Sequence, residues 1–197
     1  MTISSYTDLQ TEVANNSNRS DLTALIPTFI QLAEAEMQRR LKLVDFETTA
    51  TVAVTGGTGP LPTGFAGHRA VQWDGNPDRT LSYITPDRFN GLTNVVTVPT
   101  FYTVVGSNLK VMSEETGSVV LTYNARFTPL SDTDQSNAIL ATYPDAYFFG
   151  TLMYLYHHTR NWVAKAEQKT ELARVLESII KDHKERKYPG PLQVRPR

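Results

Sequence analysis

The sequence predicts an α+β protein: a helical bundle from the N- and C-terminal helices, a small antiparallel β domain inserted between them, and an extended C-terminal tail. Three observations carry that expectation. Apolar residues recur at helical spacing from Tyr6 to Leu43 and again after Pro144. Between them lie short β-branched runs punctuated by Gly, Pro and Asn. Finally, three prolines fall within Tyr188 to Arg197, which rules out a helix there. The expected boundaries are 1–45 with 128–187 for the bundle, 46–127 for the β domain and 188–197 for the arm.

Ser5 and Asp8 have the spacing of an N-cap and its reciprocal acid, opening a short helix that carries Leu9 and Val13. Asn15-Asn16-Ser17-Asn18 ends it, because these side chains compete for the backbone. Ser20-Asp21 reads as a second N-cap, for a turn from Leu22 to Ile26. Pro27 then suits the first turn of the most one-sided helix in the chain. Its apolar face is Ile26, Phe29, Ile30, Ala33, Met37 and Leu41; Gln31, Glu34, Gln38 and Arg39 are expected on the other faces. The pattern lapses after Leu43.

From Phe46 to Arg126 the texture is that of strands. Thr48 to Val54 is rich in β-branched residues, and Gly56-Gly57-Thr58-Gly59-Pro60 breaks the run. A strand from His68 to Trp73, a turn at 74–78 and a return strand from Arg79 to Ile84 follow. Thr85-Pro86 opens a short helix. Phe101 to Val105 and Leu109 to Met112 flank a Gly106-Ser107-Asn108 hairpin loop, and Val119 to Tyr123 makes a further strand. Strands at this spacing suggest a small sandwich or barrel. The linker Thr128 to Asp134 leads to a helical turn at Asn137 to Tyr143. Two long helices follow, from Pro144 to about Asn161 and from about Val163 to Arg186.

Composition narrows the function classes. At 40% apolar and 20% charged, the chain is typical of a soluble globular protein with a substantial core. Its 19 basic and 20 acidic residues argue against a surface that grips nucleic acid throughout. The absence of cysteine excludes disulfides, thiolate nucleophiles and thiolate metal sites. No signal-peptide pattern and no membrane-length apolar run is visible, so synthesis in a cytoplasm is expected and the glycosylation-type triplets at Asn15 and Asn18 read as chance.

No motif for chemistry stands out. Gly56-Gly57-Thr58-Gly59 lacks the lysine and the following helix of a phosphate loop, and Pro60-Leu61-Pro62 favours a turn. Asp132-Thr133-Asp134-Gln135-Ser136 starts like a calcium loop, yet Asn137 replaces the required Gly and Tyr143 the bidentate acid. His157 and His158 are adjacent, so they point to different helix faces; His68 and His183 have no motif partner. No nucleophile elbow occurs, and the carboxylate pairs Glu34 with Glu36 and Glu114 with Glu115 have the spacing of solvated surface. The reading is therefore no enzyme, with no catalytic, cofactor or metal residues. Two regions suggest contacts instead. The helix from Pro144 is unusually aromatic, through Tyr147, Phe148, Phe149, Tyr154 and Tyr156, which fits either core packing or an intersubunit face. Lys181 to Arg197 carries six basic residues and, in Tyr188, Leu192 and Val194, apolar anchors that a frayed end does not need; a docking arm is the alternative.

Taken in order, Ser5-Tyr6-Thr7-Asp8-Leu9-Gln10-Thr11, Asn18-Arg19-Ser20-Asp21-Leu22, Ile26-Pro27 and the helix ending Arg39-Arg40-Leu41 closely resemble the N-terminus of tailed-phage head–tail adaptor (connector) proteins. Such proteins are similar to tail tubular protein A of short-tailed phages. The resemblance runs on through Tyr83-Ile84-Thr85-Pro86, Phe101 to Gly106, Leu121 to Arg126, Leu130-Ser131-Asp132 and Tyr143 to Tyr147, nearly the whole chain.

What the resemblance implies is a structural component of the virion neck or tail, assembled in the host cytoplasm. It would form a homo-oligomeric ring, normally of twelve subunits, between the portal protein and the tail nozzle or tube protein. Double-stranded DNA would pass through without specific binding, and no membrane is involved. A C-terminal arm, Tyr188, Leu192, Val194, Arg195 and Arg197, would reach the portal; Gln31, Glu34, Gln38, Arg39 and Arg40 become candidates for a subunit interface or the lumen. The alternatives are a virion-associated glycan hydrolase and a carbohydrate-binding module using the β domain, the latter favoured if Trp73 or Tyr83 is exposed.

Overall fold

The computed structural model describes residues 3–41, 46–74, 79–92, 99–113 and 116–187. The chain divides into two compact units: residues 1–44 with 127–197, and residues 45–126. The class is α+β with sheets that are antiparallel apart from one two-residue pair.

The first unit is helical. Helix α1, Tyr6–Ser17, begins with the expected capping box: the Ser5 hydroxyl accepts from the Asp8 amide while the Asp8 carboxylate accepts from the Ser5 amide. Asn18 closes it in the left-handed region (φ 50°), a conformation Asn tolerates. The next turn is a 3₁₀ helix, Ser20–Leu25, and here the expectation changes. Ser20 lies inside it, Arg19 precedes it without a side-chain cap, and Asp21 pairs with Arg19 at 2.7 Å. Helix α2, Ile26–Arg40, has Pro27 in its first turn and is capped by Leu41 in an extended conformation; Leu43, where the pattern lapses, lies outside the described residues.

After the β region come α4, Ala138–Thr142, then α5, Pro144–His158, and α6, Trp162–Lys187. Asn137 caps α4 by accepting from the Leu140 amide. Helix α5 is the hub of this unit, packing against α1, α2, α4 and α6. Leu9, Ile26, Ile30, Met37, Ile139, Leu140, Tyr147, Leu152, Leu155 and Leu176 are fully buried, each stabilising by roughly 1.5–3 kcal/mol. Gly150 lets α2 and α5 approach closely: a Cβ there would sit 2.9 Å from Ala33 Cβ.

The second unit is a two-sheet sandwich. One sheet has the order β1 (Glu47–Val54), β7 (Gly117–Ala125), β3 (Phe65–Trp73). The other runs β2 (Thr58–Pro60), β6 (Asn108–Val111), β5 (Phe101–Val105), β4 (Ser82–Tyr83). Alternate residues point inward, as the pleat requires: Val52 and Val54, Val71 and Trp73, and Val119, Leu121 and Tyr123 meet Tyr102, Leu109 and Val111 from the second sheet.

Two expectations are corrected in this unit. The glycine-rich stretch does not simply end a strand: Gly56 and Gly57, both at positive φ, turn the chain and β2 resumes beside β6. Gly57 is held there, its carbonyl accepting from the Val111 amide at 2.8 Å where a Cβ would strike backbone oxygens. The segment 79–84 is not a full return strand. Leu81 donates to Val71 O at 2.8 Å, and then Ser82–Tyr83 pairs in parallel with β5, so the chain crosses from one sheet to the other. Helix α3, Pro86–Asn90, follows as expected, although Thr85 makes no side-chain cap bond.

Candidate functional site

The polar side of α2 is where the sequence placed five candidates. Gln31, Arg39 and Arg40 are exposed. Both arginines close on one carboxylate: Arg39 Nη2 lies 2.6 Å and Arg40 Nε 2.7 Å from Glu36. That pairing, through the Arg39 hydrogen bond first, holds the Glu36 carboxyl below its usual range. Gln38 is half-buried, and its amide donates to the Phe127 carbonyl at 3.3 Å.

Glu34 overturns its expectation. It is only 3% exposed and lies on the core side of α2, one turn beyond Ile30. Its Oε1 accepts from the Leu130 amide at 2.7 Å and from the Tyr147 hydroxyl at 2.9 Å. The Asn137 amide in turn donates to the Tyr147 oxygen at 2.7 Å and to the Thr128 carbonyl at 2.8 Å. Burial raises the Glu34 carboxyl above its ordinary value, opposed by the Leu130 and Tyr147 hydrogen bonds. Burial likewise raises the Tyr147 phenol, with the Glu34 charge adding to it. This network fastens segment 128–137 to α2 and α5. It is structural polarity and offers no surface to a partner.

A groove of about 320 Å³ lies between the C-terminal halves of α2 and α5 and the first turns of α6. Met153 and Leu172 are buried beneath it, and Arg40, His157, Lys165 and Lys169 stand along it. Lys165 Nζ is 3.1 Å from His157 Nδ1 and 5.4 Å from the centre of the Trp162 ring, a cation–π contact. Trp162 and Val163 are 57% and 72% exposed. Leu25 and Leu32 are also exposed, seven residues apart on the line that leads to Arg39. Sequence reasoning missed all four. The available signal was apolar residues standing off the main helical stripe.

The remaining candidates resolve individually. The aromatic helix α5 packs chiefly inward: Tyr147, Thr151, Leu152 and Leu155 are buried, while Phe148, Phe149, Tyr154 and Tyr156 are part-covered. Trp73 lies in the β core, but Tyr83 is 44% exposed and stacks on His68 at 4.7 Å between ring centres. Among the described residues no group of three His, Asp or Glu is placed to hold a metal ion. No helix among them is long and apolar enough to cross a membrane. The arm residues Tyr188, Leu192, Val194, Arg195 and Arg197 lie outside the described residues.

The two packed units carry a buried polar clamp and, on the helical unit, exposed basic and apolar side chains. A model of the SU10 adaptor protein family matches residues 4–195, and the chain belongs to that family. It is thus a phage head–tail adaptor, a structural component of the virion neck that contacts other head and tail proteins. A comparison with curated proteins finds no match.

Proposed function

We propose that the protein assembles into a closed ring, of twelve copies in the resembling adaptors, seated between the portal and the tail nozzle or tube. The family match over residues 4–195 carries this reading. In it the helical unit builds the ring wall, with Gln31, Arg39 and Arg40 at a subunit boundary or the lumen; Glu34 drops out because its own chain covers it. The arm 188–197, with its apolar anchors and arginines, reaches the portal. DNA passes without being held, which agrees with the near-neutral total charge: each retained phosphate contact strengthens binding and slows passage. Function is then shape, pairing and a duct, without chemistry.

Deleting Tyr188 to Arg197 tests the arm. The truncated protein is expected to keep its thermal transition yet fail to co-sediment with portal rings; co-sedimentation at wild-type level contradicts the proposal. One observation favours a second reading, carbohydrate binding by the β unit: Tyr83 offers an exposed ring supported by His68. Its counterpart Trp73 is buried, so the platform is a single ring. Polysaccharide retention by the wild type that Tyr83→Ala abolishes is the result that reading requires.

A further inference from the structure

From the groove between α2, α5 and α6, we infer that its occupant is the acidic loop Ser131–Asp134 of a second copy of this chain. The inference rests on the ring reading and names the contact that would join neighbours. Lys165 and Lys169 are one helical turn apart on the same face of α6. Neither has a carboxylate partner among the described residues, while Glu36 in the same groove is already taken by two arginines. Glu167 lies midway between the lysines in sequence and so on a different helix face. The groove is therefore cationic above an apolar floor, with the exposed Trp162 beside it.

The complementary surface is on the same chain. Asp132 and Asp134 are exposed and pair with no cation among the described residues. Their loop is tied into a fixed shape: the Ser131 amide donates to the Asp134 carbonyl, and the Asp134 amide to the Ser131 hydroxyl, both at 3.0 Å. The loop's ends are anchored by the Leu130 amide on Glu34 and by the Gln135 carbonyl, which accepts from the Tyr6 amide at 2.7 Å. A groove and a loop that are different patches of one molecule join copies head to tail, the heterologous geometry that gives a ring where the rotation closes and an open chain where it does not, rather than a twofold dimer. The Glu36 carboxylate and the apolar floor suit a peptide better than a phosphate backbone. The chain's own arm is a poor occupant, since its charged residues Arg195 and Arg197 carry the groove's sign.

Charge exchange tests the pairing in the full-length protein. Lys165→Glu with Lys169→Glu, and separately Asp132→Lys with Asp134→Lys, should each lower the assembled fraction by about tenfold or more at moderate salt, because like charges then face each other. Circular dichroism should show both variants folded, as the substituted side chains are at the surface. The four-fold substituted chain should recover assembly. Normal assembly by either charge-reversed variant overturns the pairing, as does a four-fold variant that fails to recover. Loss of duplex-DNA retention with assembly intact also overturns it and makes the groove a nucleic-acid surface. The two readings separate cleanly. Wild-type rings that survive both reversals leave the ring standing without this contact; open chains that the reversals abolish sustain the contact and contradict the closed ring. A wild type monomeric under every condition contradicts both.

Discussion

At the scale of single residues, Glu34 decides how the chain re-enters the helical unit. Glu34→Ala leaves the Leu130 amide and the Tyr147 hydroxyl buried without an acceptor, a loss of about 1–3 kcal/mol by chemical denaturation. Glu34→Gln keeps an acceptor and removes the buried charge, so it should stay within about 1 kcal/mol of wild type at neutral pH. The sign of the pH dependence follows from the raised pKa. A carboxyl whose folded pKa lies above the unfolded one favours the fold in its neutral form, so its contribution is complete below the unfolded value, ordinarily 4.5. That contribution is lost as pH climbs through the folded value. Relative to Glu34→Gln, the wild type should therefore lose stability on going from acid to neutral pH; parallel curves would show that Glu34 is not the titrating group. The position of Glu34 was legible in the sequence, since it falls four residues after Ile30 on the apolar stripe. Its chemistry argued for the opposite face, and only its two distant donors, far along the chain, explain why burial wins.

At the scale of elements, the helices read most easily because their instructions are local. The Ser5–Asp8 capping box, Pro27, Asn137 and Pro144 sit at the starts of α1, α2, α4 and α5, and each acts within one turn of its own position. Strand pairing depends on distant partners and is less legible locally: the glycines before β2 look like a break, yet β2 finds β6, and 79–84 crosses between sheets where a simple return strand is expected. The α2–α5 contact offers a direct test of packing. Gly150→Val forces a branched side chain against Ala33, and a loss of about 1–3 kcal/mol is expected from overpacking. An unchanged denaturation midpoint would show that the two helices separate easily. Arg39 and Arg40 make the opposite prediction. They are exposed, and their ion pairs to Glu36 are surface ones, so Arg39→Glu with Arg40→Glu should leave the thermal midpoint nearly unchanged while ring formation falls. Unchanged rings by electron microscopy would remove that basic pair from the subunit boundary.

At the scale of the whole molecule, the α+β class was legible from the change of period between the ends and the middle of the chain, and the family from ordered short stretches along nearly its full length. The exposed apolar residues were not. A monomer's periodicity reports what its own chain buries, whereas Leu25, Leu32, Trp162 and Val163 are left uncovered, and only the proposed ring would supply a neighbour to cover them. On the proposed function, this adaptor works as a ring on the portal. Mass measurement of the full-length protein, alone and mixed with portal rings, tests it most directly. A discrete complex is expected, its added mass a whole multiple of the 22.0 kDa chain, twelve copies on one portal ring. A protein that stays at single-chain mass in both samples would contradict it.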